Sequence, residues 1–323
     1  MSGVDADYLT RLNRVVDYVQ AHLGEELTLD ELAGVACFSR FHFARLFHAQ
    51  FGETPFELIR RVRLERAAAL LRAHPREPVI SVALRSGFEN ASAFSRSFRE
   101  RFGCSPSEWR CVRDEPDDRS KAAMGIDPVA RVGERWSQMR IARRLDGPGW
   151  SWSTTTPDGR ARNVRLEEVP ATRVAYVRHM GRYAADPKLF ERLFERLFTW
   201  AVPRELVRFP LTTYCIYYDP PSITDDDRLR VSVCLPIPPD VEPSGEVGHL
   251  TIPGGLYGVV RQLVDHTEYG ELWSWAYSEW LPQSGYEPDD RWSFERYVSR
   301  EPTDLEASEV PVEICIPVRV SGG

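Results

Sequence analysis

Apolar positions in "YLTRLNRVVDYVQAH", residues 8–22, fall at Leu9, Leu12, Val15, Val16 and Val19, one stripe of a helix with 3.6 residues per turn. Gly24 ends that pattern. In "TLDELAGVACFS" Thr28 stands three residues before Glu31, the spacing of a capping box, so a short helix starts there and stops near Cys37 and Phe38. Ser39 is placed to cap the next helix, whose inward stripe is Phe43, Leu46, Phe47 and Phe51. Two helices joined by a turn of roughly three to four residues make a helix-turn-helix.

The pattern then repeats. Phe43, Arg45, Phe47, Phe51, Gly52 and Pro55 recur 51 residues on as Phe94, Arg96, Phe98, Phe102, Gly103 and Pro106. Ala33 and Phe38 recur 50 residues on as Ala83 and Phe88, so one residue is inserted across the turn, where Gly87 permits a left-handed backbone. Between the copies "PFELIRRVRLERAAALLRAH" reads as a long amphipathic helix. Pro55 stands in its first turn, and Pro75 and Pro78 lie past its end.

The outward positions carry the chemistry. In the first copy they are Phe41, Ala44, Arg45 and His48, and in the second Ser92, Ser95, Arg96 and Arg99. Arg40 and Asn90 stand at the helix starts. Small side chains let a backbone approach a DNA groove, arginine reaches guanine or phosphate, and Phe41 can meet a thymine methyl. A single such face would also suit a solvated helix; two copies with matching arginines favour a groove reader. Charge agrees in sign: residues 8–113 carry 16 arginines against 12 acids, while residues 162–319 carry 17 basic and 26 acidic residues. The whole chain has a net charge of −7. With two lysines in the chain, its positive charge is nearly all arginine, the side chain suited to bidentate contacts.

On "LAGVACFSRFHFARLF", the "GF" of "RSGFENASAFSRSFRERFGCSPSEWR" and the closing Ser105-Pro106-x-x-Trp109-Arg110, residues 8–113 resemble the DNA-binding domain of the AraC/XylS family of bacterial transcription regulators. The resemblance implies an all-α domain of seven helices with two recognition helices in successive major-groove segments, roughly 34 Å apart. It places base-reading positions on Phe41, His42, Ala44 and Arg45, and on Ala91, Ser92, Ser95 and Arg96. Ala44 and Ala91 stand where polar readers are common, which shifts the expected sequence preference onto Arg45, Arg96 and DNA deformability.

Residues 114–161 read as a linker. "ARVGERWSQMRIARRL" is a candidate short basic helix, and Trp136, Trp150 and Trp152 have no assigned place. From residue 164 the alternation turns β-like, and a second duplication emerges: "RLEEVPATRVAYVRHMG" is echoed by "GHLTIPGGLYGVVRQLVDH", and "LRVSVCLPIP" by "VPVEICIPVRV". Each half runs strand, helix, strand, strand. The chain is therefore expected to be multidomain, all-α and then α+β, with a duplicated β-α-β-β domain over 162–320 and a central ligand groove.

Through the paired I/V-P strands, "WLPQSGYEPDDRWSFERY" and "VEICIPV", this half resembles the GyrI-like small-molecule-binding domain found in multidrug-responsive regulators. The resemblance implies an aromatic pocket with a buried carboxylate that attracts cationic, lipophilic compounds. Glu295, in a strand, is the carboxylate; Tyr214, Tyr257, Trp273, Trp275 and Tyr297 are the candidate cage. An unpaired acid in a strand core costs several kcal/mol, so Glu295 needs a cationic ligand or an arginine such as Arg296 or Arg261. For any one of these aromatics ordinary core packing is the favoured reading, for the tryptophans of the 268–281 helix above all.

Six scattered cysteines without a C-x-x-C pair give no metal or redox spacing, and no cofactor is implied. No stretch reads as a signal peptide or membrane helix, so a cytoplasmic protein is expected. The expected function is a ligand-responsive transcription regulator and not an enzyme. Its partners are double-stranded promoter DNA, a small-molecule effector and RNA polymerase, with no membrane. Two other readings of the back half stay open: a hydrolase, which the resemblance to GyrI-like domains also implies, with Glu295 and Tyr257 as acid/base groups, and a protein-docking module without a ligand.

Overall fold

The computed structural model describes residues 3–111, 142–144, 151–155, 161–183, 186–221, 223–264, 269–301 and 310–320. The chain divides into two compact units, one over 1–115 with 243–248, the other over the remainder. The described part of the first unit is helical: α1 (Gly3–Ala21), α2 (Leu29–Val35), α3 (Arg40–Phe51), α4 (Pro55–Ala73), α5 (Val79–Arg85), α6 (Ala91–Phe102) and α7 (Pro106–Cys111). Local chemistry explains the boundaries. Thr28 and Glu31 form the expected capping box on α2, and Thr54 and Glu57 form another on α4, whose first residue is Pro55. Ser39 holds the N-cap position of α3 but makes no side-chain cap hydrogen bond, contrary to expectation.

The pairs α2–α3 and α5–α6 are the two helix-turn-helix units. Phe43 and Phe47 are fully buried among Leu32, Ala33, Leu58 and Val62, and Phe94 and Phe98 are equally buried in the second unit. Both turns close the same way, with the N–H of Phe38 donating to Ala33 and that of Phe88 to Ala83, each at 3.0 Å. The scaffold between them is α4. Its Arg61 is buried with Glu53 and Glu65, and its Arg63 donates Nε to the Leu23 carbonyl at 2.8 Å and Nη2 to that of Glu25 at 2.5 Å. Gly87, in the second turn, lies against the same Leu23 carbonyl: an added Cβ would come within 2.1 Å of it.

The second unit is a mostly antiparallel sheet with helices. Its strands are β1 (Ala142–Arg144), β2 (Ser151–Thr155), β3 (Ala161–Val169), β4 (Thr172–Met180), β5 (Leu211–Tyr217), β6 (Arg230–Pro236), β7 (Gly248–Ile252), β8 (Gly255–Val264), β9 (Tyr286–Pro288), β10 (Ser293–Ser299) and β11 (Val310–Val320). The order is β1-β2-β3-β8-β11-β10-β5-β6-β4-β7, with β9 on β11. Helix α8 (Pro187–Ala201) packs on β4 and β6, and α9 (Tyr269–Trp275) continues through a π turn, Ala276–Trp280, into Leu281–Gln283. Residues 142–144 of the candidate basic helix form β1 instead; the rest of that segment, with Trp136 and Trp150, lies outside the described residues.

Register decides what each face carries. In the β5–β10 ladder Glu295 opposes Cys215, Ser293 opposes Tyr217 and Tyr297 opposes Thr213, so these six side chains share one face. Tyr214, Ile216, Phe294 and Arg296 project from the other. The helices cover the Glu295 face: Trp275 and Trp280 of the α9 segment are buried with Val260, Val312 and Ile314, partly covered by Tyr297. The opposite face buries Tyr214, Tyr257, Phe294 and Cys315 in a separate cluster.

Candidate functional site

Two candidate sites are built on these units. On the helical unit the outward face of α3 is exposed at Arg40, Phe41, His42, Arg45 and His48, with Ala44 half-buried. Phe41 is 73% exposed, a large apolar ring with no core role, and the Arg40 guanidinium lies 5.0 Å over it. His42 packs against Phe38 at 5.3 Å and Tyr8 at 6.2 Å, which draws it toward the domain body. On α6, Ser92, Arg96 and Arg99 are exposed, and Ala91 and Ser95 are half-buried. Asn90 is committed locally: its Oδ1 accepts from the N–H of Ala93 at 2.8 Å and caps α6. Arg45 and Arg96 are both exposed, and among the described residues neither makes a hydrogen bond or ion pair.

In the sheet unit the site centres on Glu295, which is 1% exposed. Trp273 donates Nε1 to Oε1 at 2.7 Å, while Tyr217 and Tyr297 donate their hydroxyls to Oε2 at 2.8 and 2.7 Å. Burial pushes the carboxyl above the usual glutamate range and outweighs the three hydrogen bonds, which pull the other way. The same burial, with the Glu295 charge, holds Tyr217 and Tyr297 well above the ordinary phenol range, so they serve as donors.

An aromatic arc crosses this face. Phe190 of α8 meets Tyr183 at 6.5 Å, Tyr183 meets Tyr217 at 5.6 Å, Tyr217 meets Trp273 at 5.8 Å, and Trp273 meets Tyr277 at 6.0 Å. Tyr183, Tyr217 and Tyr277 were not anticipated from the sequence. Tyr217 lies two residues beyond Cys215, the residue opposite Glu295, but that pairing becomes visible only once the register is known.

Of the expected cage, the structure brings Trp273 and Tyr297 to Glu295 and leaves three residues elsewhere. Tyr214 and Tyr257 project from the opposite face, packed on Phe294 at 5.6 and 5.3 Å. The Tyr257 hydroxyl donates to the Pro253 carbonyl, and burial pushes it up to about 12. Trp275 shares the helix-covered face but is buried in its core, with Arg162 5.1 Å over its ring. The arginines considered for Glu295 are engaged with other acids, Arg296 with Glu313 and Glu167, and Arg261 with Glu313. Among the described residues no group of three or more His, Cys, Asp or Glu is placed to hold a metal, and no helix is long and apolar enough to cross a membrane.

Known proteins match each unit. Residues 162–319 fit the GyrI-like small molecule binding domain family, and residues 32–111 a helix-turn-helix domain family. The probable transcriptional regulator LumQ of Photobacterium leiognathi is 35% identical over 108 residues, 33% of this chain and 43% of that protein. DNA gyrase inhibitor 2 of Dickeya dadantii is 31% identical over 139 residues, 42% of this chain and 84% of that protein. The crystal structure of an AraC-type regulator from Chromobacterium violaceum aligns at 30% identity over 33% of this chain and 94% of that one, with a TM-score of 0.31. The chain thus spans less than half the length of the curated regulator LumQ.

Proposed function

Because this chain belongs to the GyrI-like family and carries an AraC-type helix-turn-helix domain, we propose that it is a sequence-specific transcription regulator controlled by a small lipophilic cation. Residues 8–113 bind promoter DNA, 114–161 link, and 162–320 bind the effector. RNA polymerase is the protein that receives the signal, in the cytoplasm of a bacterium. On DNA the contacts come from Phe41, Ala44, Arg45 and His48 in one groove segment and Ser92, Ser95, Arg96 and Arg99 in the next, with Arg40, His42, Asn90 and Ala91 at the helix starts.

The observation that carries the effector reading is Glu295. Among the described residues its hydrogen-bond partners are three neutral donors, and no cationic side chain balances it. A buried carboxylate without a counter-charge is costly, and a cation entering among Trp273, Tyr217 and Tyr297 removes that cost. The strand order supports a duplicated unit: β3-β8-β11-β10 on one side of the β10–β5 ladder is matched by β7-β4-β6-β5 on the other. The groove of this proposal lies over β5 and β10, between α8 and α9.

Against the hydrolase alternative stands the position of Tyr257, in the cluster on the face opposite Glu295. To test the binding reading, the full-length chain and Glu295→Gln are heated with tetraphenylphosphonium. The cation should raise the melting temperature of the wild type and have little effect on the variant. Equal stabilisation of both would remove Glu295 from the site.

A further inference from the structure

Glu295 is sealed from the α9 side by a bridge. Trp273 donates to it, the Tyr277 ring stacks on Trp273 with 15° between planes, and the Tyr277 hydroxyl lies 2.6 Å from that of Ser293. Ser293 is the same-face neighbour of Glu295 along β10, so the bridge returns to the strand it left. Tyr277 is nevertheless 44% exposed, the outermost ring of the arc.

Its segment is anchored on both sides of this one ring. Tyr277 sits in the π turn Ala276–Trp280, where the N–H of Leu281 donates to the Ala276 carbonyl. Trp275 and Trp280, five residues apart, are both buried in the core that covers the sheet. Trp280 rests so closely on Gly258 that an added Cβ there would come within 2.0 Å of its ring. Both flanks of the turn are therefore anchored, while among the described residues Tyr277 is held inward by one ring stack and one hydroxyl contact.

The geometry points to Tyr277 as the residue that controls access to Glu295: its contact with Ser293 shuts the site, and a flat lipophilic cation enters by displacing its ring from Trp273 and stacking in its place. This rests on the effector reading above and adds the shape of the ligand and its point of entry. Opening requires rotation of one exposed side chain, with the tryptophan anchors unmoved.

Carboxyl labelling reads the gate without any effector. Full-length wild type, Tyr277→Phe and Ser293→Ala are treated with a water-soluble carbodiimide and glycine ethyl ester, and the modification at Glu295 is followed by peptide mass spectrometry. Glu271, whose side chain is 68% exposed, is the internal reference. Loss of one hydrogen bond should speed labelling of Glu295 about fivefold in each variant, with Glu271 unchanged. Equal rates in all three proteins would overturn the gate. A second arm follows ethidium binding by fluorescence in DNA-free protein; binding should be about fivefold faster in Tyr277→Phe. Absence of ethidium binding in every protein would sink the effector reading beneath the gate, and equal binding rates would sink the entry route.

Discussion

Cys37 and Gly87 hold the same place in the two helix-turn-helix units, and both have left-handed backbone, with φ of 55° and 85°. Their surroundings are opposite. Cys37 is exposed, whereas a side chain at Gly87 would collide with the Leu23 carbonyl and the Arg63 guanidinium. Cys37→Gly should therefore relieve strain and raise stability by up to about 1 kcal/mol, while Gly87→Ala should lower it by more than about 1 kcal/mol. Urea unfolding of the two variants checks the pair; the same sign for both would contradict it.

Arg61 forms a buried triad with Glu53, at 2.7 and 3.1 Å, and Glu65, at 3.1 Å, and all three residues are at most 7% exposed. Arg61→Ala removes the guanidinium that joins two buried carboxylates, of which Glu65 keeps Arg101 at 3.7 Å, and should destabilise the helical unit by about 3–5 kcal/mol. Arg61→Lys should fail to restore stability, because an ammonium cannot span Glu53 bidentately. Denaturant midpoints report both variants, and full rescue by lysine would refute the geometric argument.

Glu295 links the site to pH. Its carboxyl is raised in the folded chain, chiefly by burial, so the folded state holds its proton to higher pH than the unfolded state does. Its contribution to stability is present below the ordinary glutamate range and is lost as pH rises through the raised folded value. Glu295→Gln has no such proton to lose, so its melting temperature should gain on the wild type across that window. Affinity for a lipophilic cation should move the other way in the wild type, rising with pH as the carboxylate forms. Parallel melting curves against pH for the two proteins would count against the assignment.

Arg96 projects outward from α6 with no ion-pair or hydrogen-bond partner among the described residues. Arg96→Ala should weaken DNA binding and relax the preference at one base position by about 1–3 kcal/mol. Binding to a library of single-base variants of a selected site provides the measurement. A uniform loss over all positions would make Arg96 a phosphate contact.

Asn90 should separate folding from recognition. Because its side chain caps α6 through Ala93, Asn90→Ala is expected to cost about 1 kcal/mol of stability, and Asn90→Asp to keep most of it. Thermal unfolding in the absence of DNA reads the difference; equal melting temperatures for the two variants would remove the cap.

The helical half was legible because its signals are local. Thr28 with Glu31, Pro55 at a first turn and Gly87 in a tight turn each act within a few residues, and the inward phenylalanines follow from one period. Ser39 shows the limit: a good capping residue can occupy the cap position without making the bond. In the sheet unit Glu295 was legible as an acid in a strand, but its neighbours were not. Tyr214 and Tyr217 differ by three positions and so point to opposite faces; which of them faces Glu295 is fixed by pairing with a strand nearly eighty residues away. Tyr277 depends on a π turn, which no local apolar period announces.

The grip of Arg63 on Leu23 and Glu25, with Gly87 pressed on the same Leu23 carbonyl, ties the turn of the second helix-turn-helix unit to the chain just ahead of α2 in the first. Under the proposed function, a duplex engaged by both recognition helices meets them through this shared anchor. One extra base pair between the half-sites moves the second by about 3.4 Å and a tenth of a turn, and the DNA has to absorb that misfit by bending or twisting. Spacing between the half-sites, as much as the bases within them, would then define an operator for this chain.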